Sequence, residues 1–542
     1  MVSAMWSSIV TKATHFRCLR TCSATTTSMA NEEAVGDEEA SHTSMEQDIP
    51  FKPAVDLPDG QDPKRWSVPR KVYVNTIFML MVFVNTYISG IYSPGIKAML
   101  HDVPMSREVA DLGTGMYMFG IAVGSLLWGP MSQVVGRRPV FLVSLVGMVF
   151  FNLGLCLTMH VSGSIICRFF GGAVGATTFS NVAGSIIDMT TERERTPYNT
   201  LFRYFTFIGP PCAALLGTVV VRDSTWKWNL RSAPIACFVC LVLYTFTVPE
   251  TYAPVLIQRK IERDREVYDE KKHHHSWIHR ELHHIRHKIP DFALWTMVVS
   301  QIAESLPVPW ILLFEEPLVI VVTFYTSMLY GLLYGSLLFF PIIWGDVRGY
   351  TNVQVAYCYF AVITGFTLST MMVGLWIQNS EYKRAYDRNQ HTPELRIRSG
   401  IFSIFFVPIG LFIFGWTAPF LHVHWSGPCI GVLLYTFGML SVFSSWMTYL
   451  TDTYVNNAAA VVCINSFVRC SIAGAFPLFT RQMVHGMTFQ GSMSLFGGIS
   501  IPLTAIGIYI AFHGHRIREK SKHAVYGSVS YTHLTLPTTP YV

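Results

Sequence analysis

The sequence predicts an all-α membrane protein whose twelve transmembrane helices form two halves of six, with both chain ends in the cytoplasm. Three observations support this prediction. Of the 542 residues, 51% are hydrophobic and only 14% are charged, whereas soluble domains carry about 25% charged residues. Apolar stretches of the roughly 20 residues needed to cross a bilayer recur along the chain. Lys and Arg residues are concentrated in alternate connecting segments, as the positive-inside rule requires.

Twelve apolar stretches are predicted to span the membrane, and a long polar segment separates the sixth from the seventh. In chain order the predicted spans are 72–93, 109–129, 139–159, 162–187, 198–219, 232–249, 317–344, 353–378, 401–418, 428–450, 457–480 and 492–513.

The distribution of basic residues sets the predicted orientation. When the N-terminus is placed in the cytoplasm, the cytoplasmic segments contain 27 Lys and Arg residues and the external loops contain 7. Because basic residues are retained on the cytoplasmic side, both chain ends are predicted to lie there. That arrangement requires an even number of spans.

The spans divide the chain into five segments. They are a disordered cytoplasmic tail 1–71, a six-helix half 72–249, a cytoplasmic central loop 250–312, a six-helix half 313–513 and a cytoplasmic tail 514–542. Residues 1–28 are basic, rich in Ser and Thr and free of acids, which resembles a transit peptide. We expect instead that Met29 is the real start and that residues 1–28 are a gene-model extension absent from the mature protein. Residues 528–542 resemble translated sequencing-adapter sequence and are not expected to be part of the fold.

A short polar turn, 129-GPMSQVVGRRP-139, separates the second and third spans. Gly129 and Gly136 allow the chain to reverse within a few residues, and Pro139 suits the first turn of the next helix. A phosphate-binding loop would need a preceding strand, which the sequence does not predict here. The turn is therefore interpreted as a cytoplasmic hinge and not as a phosphate or nucleic-acid contact.

That turn resembles the signature loop of the major facilitator superfamily. Two more stretches follow in the expected order: 168-RFFGGAVG-175 resembles the superfamily's fourth-helix motif, and 207-FIGPPCAALLG-217 resembles the fifth-helix motif of its antiporters. Further stretches resemble the family's fungal drug:proton antiporters with twelve spans. They are 63-PKRWS-67, 249-PETYAPVLIQRK-260, 314-FEEP-317, 393-PELR-396, 410-GLFIFGWTA-418, 452-DTY-454 and 465-NSFVRCSIAGAFPLF-479. The resemblance implies two six-helix halves around a midplane cavity, alternating access and efflux of small organic molecules.

The resemblance assigns gating roles to Gly129, Gly136, Arg137 and Arg138, but Gln133 departs from the pattern. The family has an acid at this position, whereas Gln133 can only form hydrogen bonds. We expect a weaker latch at the cytoplasmic end. In the fifth span, Gly209 and Pro210 belong to the motif of the family's antiporters, where a proline bend could seal the two halves. An ordinary membrane-helix kink is the alternative.

Three arginines lie inside predicted spans, where ionisable groups are expensive and often functional. Arg168 is interpreted either as an electrostatic element beside the cavity or as a structural donor to carbonyl groups. Arg203 is near the inner end of its span and is expected to snorkel to the surface. Arg469 is near the midplane, where a role in the cavity or between helices is expected.

The sequence places no acid equally deep. Asp188 and Asp452 lie at cytoplasmic helix ends and are the weak candidates for a proton site. This imbalance disfavours a deep anchor for cationic drugs and favours anionic or neutral substrates.

Six polar or aromatic side chains are predicted to line the cavity, since an apolar wall with a few polar groups suits amphipathic molecules. Helix packing is the alternative for each of them. They are Asn85, Asn181, Tyr325, Tyr330, Tyr334 and Asn465.

The central loop carries His275, His279, His283 and His287 at intervals of four residues. Zinc binding is one interpretation, but no cysteine accompanies them, and a basic helix at the membrane surface is preferred. No metal site, cofactor or nucleic-acid partner is predicted. The sequence contains no catalytic Ser/His/Asp set or nucleotide loop, so an enzyme is not expected.

The favoured function is a secondary active exporter of drugs, toxins or fungal metabolites, driven by protons and acting as a monomer in the plasma membrane, with the vacuolar membrane as an alternative. A polyamine or nutrient carrier that imports or works as a uniporter is the second hypothesis. A transporter-like sensor is the third.

Overall fold

A computed structural model describes residues 57, 60–158, 160–272, 299–300, 302–388, 392–398 and 400–523. The histidine-rich part of the central loop, the first 56 residues and residues 524–542 lie outside the described residues. Within the described residues the secondary structure is helical and contains no strand.

Eight α-helices form the N-terminal half. They are α1 (Val68–Gly90), α2 (Ile96–Asp102), α3 (Arg107–Val135), α4 (Arg137–Leu157), α5 (Val161–Gly175), α6 (Thr177–Met189), α7 (Arg195–Asp223) and α8 (Trp226–Thr247). A polar helix, α9 (Ala253–Lys272), follows them.

The C-terminal half begins after the central loop. Its helices are α10 (Pro307–Glu315), α11 (Pro317–Phe340), α12 (Asn352–Leu368), α13 (Asn379–Asp387), α14 (Leu395–Arg398), α15 (Phe406–Thr417), α16 (Ser426–Thr453) and α17 (Ala458–Lys520). Pro341–Val347 and Ser369–Gln378 continue α11 and α12 as π-helical turns.

The helices are compatible with all twelve predicted spans, although only nine described helices are long and apolar enough to cross a membrane by themselves. Three local features explain the difference. The fourth span is divided into α5 and α6 at Ala176, and α15 is a shorter apolar helix. The last two spans are joined within α17.

Within α17 the chain reverses at Thr488, whose φ of 63° and ψ of 165° are not helical. The rings of Phe476 and Phe496 lie 5.5 Å apart. In a straight helix, 20 residues would separate these rings by about 30 Å. The eleventh and twelfth predicted spans are therefore antiparallel neighbours.

The two halves meet where small residues let helix backbones approach closely, as is common in membrane proteins. A Cβ atom on Gly115 of α3 would lie 2.3 Å from the carbonyl oxygen of Gly474 in α17. On the other side, a Cβ atom on Gly374 would lie 2.3 Å from Thr200 of α7. These two crossings fix the distance between the halves.

The turn between α3 and α4 is held by Glu250, which lies just after α8. Gly136 adopts a φ of 101°, and its missing Cβ leaves room for the Glu250 carboxylate. The backbone amides of Arg137 and Arg138 each donate to that carboxylate at 3.0 Å. Because the first amides of a helix have no partner within it, Glu250 caps α4 and fixes the signature turn.

We expect Gly115→Val to damage the crossing of α3 and α17, because the added atoms would overlap the Gly474 carbonyl group. Overpacking of this kind costs about 1–3 kcal/mol or more. The measurement is the thermal unfolding of the detergent-solubilised protein. The control is Gly498→Val in α17, where a Cβ atom would meet no heavy atom within 4 Å. Equal melting temperatures for the two variants would contradict the prediction.

We expect Glu250→Ala to lower the free energy of unfolding by about 1–3 kcal/mol, because buried amide donors lose their charged acceptor. A lower melting temperature and faster proteolysis within the turn would report this loss. Glu304→Ala removes an exposed carboxylate and serves as the control. If both variants melt like the wild type, Glu250 does not stabilise the turn.

Candidate functional site

A cavity of about 1180 Å³ lies between the two halves. One face each of α6, α7, α16 and the first part of α17 lines most of its wall. Lining positions recur at intervals of three or four residues, as expected when one face of a helix is presented. They include Phe179, Ala183, Ile187, Arg195, Asn199, Phe202, Thr206, Phe443, Met447, Thr451, Ala458, Val462, Ser466 and Arg469.

The cavity has its mouth at the predicted cytoplasmic end and its floor near the middle of the helices. Asp188 and Asp452 lie at the mouth, whereas Phe179, Phe443 and Arg469 are the deepest lining residues of their helices. At 1.5 Å per residue, these positions imply a depth of about 14–17 Å. The predicted midplane position of Arg469 thus coincides with the floor.

Each half places one Arg–Asp ion pair at the mouth. The Nε atom of Arg137 lies 3.2 Å from Asp188 in the N-terminal half, and the Nε atom of Arg396 lies 2.9 Å from Asp452 in the C-terminal half. Arg396 also donates to Thr196 across the cavity at 2.9 Å. Both candidate proton-site acids are therefore paired with a guanidinium group in this conformation.

A third contact at the same end joins Lys71 to Glu194. The Nζ atom of Lys71, which is 4% exposed, lies 3.0 Å from the Glu194 carboxylate. This hydrogen bond lowers the pKa of Glu194 because it stabilises the ionised carboxylate. The contact ties the start of α1 to the segment before α7.

The signature turn contributes directly to the mouth. Gly129 and Gln133 line the cavity, and the Gln133 side chain is exposed within it. Arg138 points away from the cavity and donates to the carbonyl oxygen of Thr245 at 3.1 Å. The first residue of α17, Ala458, lines the same mouth as Gln133.

Beyond the floor, aromatic side chains from both halves close the opposite end. The Phe207 ring lies 5.3 Å from Tyr330, 5.6 Å from Phe366 and 4.8 Å from Phe443, between ring centroids. The hydroxyl groups of Ser89 and Tyr334 form a hydrogen bond of 2.6 Å just behind these rings. The structure is thus open at one end and sealed at the other.

Gly209 and Pro210 lie just beyond the floor, where α7 crosses α1. A Cβ atom on Gly209 would lie 2.1 Å from the Thr86 hydroxyl group, and Pro210 contacts Gly90. The helix α7 continues through both prolines of the motif. In this conformation the motif packs two helices of the same half together, and its role in sealing the halves stays a prediction.

Arg168 lies outside the cavity lining and has a structural set of partners. It donates to the carbonyl oxygens of Gly113, Ile88 and Ser89 at 2.9–3.0 Å. The last two carbonyls belong to the C-terminal turn of α1, which lacks partners within the helix and attracts cations. Of the two interpretations of Arg168, this geometry favours the structural donor.

The six predicted binding residues pack between helices in this conformation, and none of them lines the cavity. Asn85 donates to Gly175 and Thr178. Asn465 donates to Thr326 at 2.8 Å. The other four, Asn181, Tyr325, Tyr330 and Tyr334, are also buried. Their role in binding stays a prediction for a different conformation.

Three candidate functional residues differ from the sequence-based predictions: one was placed wrongly and two were not predicted. Arg203 lines the cavity and donates to Ser444 of the other half at 3.1 Å, so it does not snorkel to the surface. Phe207 is the centre of the seal, and no sequence signal distinguishes it from a packing residue. Asp111 is a buried acid of α3 with one carboxylate oxygen lacking a hydrogen-bond partner. Its signal was its position inside the second span.

Comparison with known proteins agrees with the fold. The profile of the Major Facilitator Superfamily matches residues 78–477. Efflux pump FUBT of Fusarium oxysporum is 30% identical over 82% of this chain and 73% of its own length. Multidrug transporter TPO1_1 of Candida glabrata is 29% identical over 89% and 84%. Probable drug/proton antiporter YHK8 of Saccharomyces cerevisiae is 28% identical over 86% and 89%.

Two solved structures show the same fold at low sequence identity. The proton:xylose symporter XylE superposes with a TM-score of 0.59 at 16% identity, covering 82% of this chain and 97% of that one. The human organic anion transporter MFSD10 superposes with a TM-score of 0.55 at 12% identity, covering 81% and 99%. The helical architecture, the cavity between two halves and the profile match lead to one conclusion: this chain is a multi-pass membrane protein that belongs to the major facilitator superfamily.

Proposed function

We propose that this protein exports small organic molecules, such as drugs, toxins or fungal secondary metabolites, by proton-coupled alternating access. The observation that carries the proposal is the cavity with its mouth at the predicted cytoplasmic end and its floor sealed by Phe207. A molecule that enters from the cytoplasm would be released outside when the seal opens and the mouth closes. The similarity to efflux pumps and drug/proton antiporters supports this direction.

The family consists of transporters, so catalysis of a chemical reaction is not part of the proposal. The protein would work as a monomer in the plasma membrane.

The mouth is bordered by two equivalent ion pairs, Arg137–Asp188 and Arg396–Asp452. Each pair lies within one half, which would let a half move as a unit while the mouth closes. A polyamine or nutrient importer remains the second candidate, since alternating access is reversible.

We expect cells that overproduce the protein to resist some members of a panel of toxic compounds and to accumulate less of them. A protonophore should abolish both effects, because antiport depends on the proton gradient. The measurement is growth together with the intracellular amount of each compound, and cells carrying an empty vector are the control. Resistance that survives collapse of the proton gradient would rule out antiport, and increased accumulation would indicate import.

We expect Gln133→Asp to favour the conformation in which the mouth is closed. A carboxylate near a helix N-terminus is stabilised by about 0.3–1 kcal/mol, and closure would bring position 133 towards the start of α17 at Ala458. The population of the closed form should rise about two- to fivefold. The measurement is the labelling rate of an Ala459→Cys variant by an impermeant maleimide in inside-out vesicles.

Gln133→Asn is the matched control because it keeps the amide and adds no charge. The Ala459→Cys site should be labelled more slowly than in the wild-type background when Gln133→Asp is present, but not when Gln133→Asn is present. Unchanged labelling with Asp, or an equal change with Asn, would show that charge at this position does not control the mouth.

A further inference from the structure

Arg469 forms the charged part of the cavity floor. Its guanidinium carbon lies 4.6 Å from the ring centroid of Tyr330, 5.0 Å from Phe443 and 5.7 Å from Phe179. The side chain is 4% exposed, and its Nη2 atom makes a long hydrogen bond of 3.4 Å to Ser466. Its Nε atom is buried without a hydrogen-bond partner. Among the described residues, no carboxylate lies within 4.0 Å of it.

Six arginines are buried among the residues that the structure describes, and their partners divide them into two groups. Arg137, Arg396 and Arg518 each pair with a carboxylate, and Arg168 donates to three carbonyl oxygens. Within the part of the chain that the structure describes, Arg203 and Arg469 each have a serine hydroxyl group as their only hydrogen-bond partner. These two are also the buried arginines that lie at and just above the cavity floor.

A buried guanidinium group without a counter-ion is unfavourable, because burial removes its hydration. Arginine does not relieve this cost by losing its proton. Attraction to the aromatic faces compensates in part, and water that entered the cavity would supply further hydrogen bonds. An anionic group that reached the floor would exchange that water for charge-assisted hydrogen bonds, which are stronger than hydrogen bonds between neutral groups.

The charges around the floor reinforce this preference. Arg203 lies about one turn above Thr206, the deepest lining residue of α7, and contacts Ser444, the neighbour of Phe443. The described lining residues include three acids, Asp188, Glu192 and Asp452, which all lie at the mouth, and two of them are paired with arginines. The floor therefore carries two positive charges and no negative one among the described residues.

We infer that the exported molecules include amphipathic organic acids, whose carboxylate binds at the floor between Arg469 and Arg203. This inference rests on the proposed export function and names its substrate class. The planar fork of a guanidinium group matches a carboxylate through two parallel hydrogen bonds. An aromatic or alkyl body would pack against Phe179, Phe202 and Phe443, which line the same part of the cavity. Polyamines and other cations would be repelled from the floor.

The experiment measures binding of three probes of nearly equal shape to the purified full-length protein in nanodiscs. The probes are 4-butylbenzoate, the neutral 4-butylbenzamide and the cationic (4-butylphenyl)trimethylammonium, titrated calorimetrically. The wild type should bind the carboxylate at least about tenfold more tightly than the amide and should bind the cation most weakly. Equal binding of the three probes, tighter binding of the cation, or no carboxylate binding up to millimolar concentration would overturn the inference.

Variants locate the site. Arg469→Gln should reduce the carboxylate preference to about threefold or less, whereas Arg469→Lys should retain an intermediate preference because it keeps the charge but loses the fork. Arg516→Gln is the control, since Arg516 is exposed on the same helix and does not line the cavity. A full carboxylate preference in Arg469→Gln would overturn the assignment. Arg203→Gln provides a second test if Arg469→Gln fails to fold, as judged by thermal unfolding.

Failure here is distinguishable from failure of the export proposal. The probe titration measures only the charge preference of the cavity and needs neither a proton gradient nor vectorial flux. Export of neutral toxic compounds together with no carboxylate preference would leave the export function standing and would overturn the inferred substrate class.

Discussion

The requirement that every polar group find a partner inside an apolar surrounding governs this structure. Arg168 satisfies it by capping the last carbonyls of α1, and Glu250 satisfies it by capping the first amides of α4. Both contacts join parts of the N-terminal half that are distant in sequence. The few charged side chains buried in this half therefore help to hold its helices together. Among the buried arginines that the structure describes, Arg203 and Arg469 have the fewest hydrogen-bond partners, and they line the large cavity between the halves. The same rule that stabilises the framework therefore marks the place where something else must bind.

The packing of the sealed end follows from residue size. Gly115 and Gly474 let α3 and α17 touch through their backbones, and Phe207 packs against aromatic rings of the other half beyond the cavity floor. Backbone contacts without bulky interdigitating side chains can slide or separate with little repacking. The seal thus combines a close, small-residue crossing with a single aromatic cluster, which suits a closure that must open repeatedly.

The sequence predicted much of the fold, because apolar length and basic loops are local properties of the chain. It could not predict that Ala176 divides one span or that the last two spans join at Thr488, because these depend on neighbouring helices. For the site, the limit was the rotation of each helix about its axis. Arg168 and Arg469 look alike in the sequence, since each precedes small residues in an apolar span. One faces three carbonyls and the other faces the cavity, and this difference exists only after packing. The rotation of α11 was also unknown from the sequence. Its tyrosines were predicted to face the cavity, but in this conformation they pack against neighbouring helices.

The capping of α4 by Glu250 also links two parts of the protein that are distant in sequence, the turn between α3 and α4 and the start of α9. Glu250 follows Arg138 by 112 residues and precedes the start of α9 at Ala253 by only three. A displacement of α9 would be transmitted through this carboxylate to the turn between α3 and α4, which follows the last helical turn of α3 that carries Gln133. The start of α9 is therefore connected through a single carboxylate to the turn beside the mouth of the cavity, so a shift of α9 would also move the chain at the mouth.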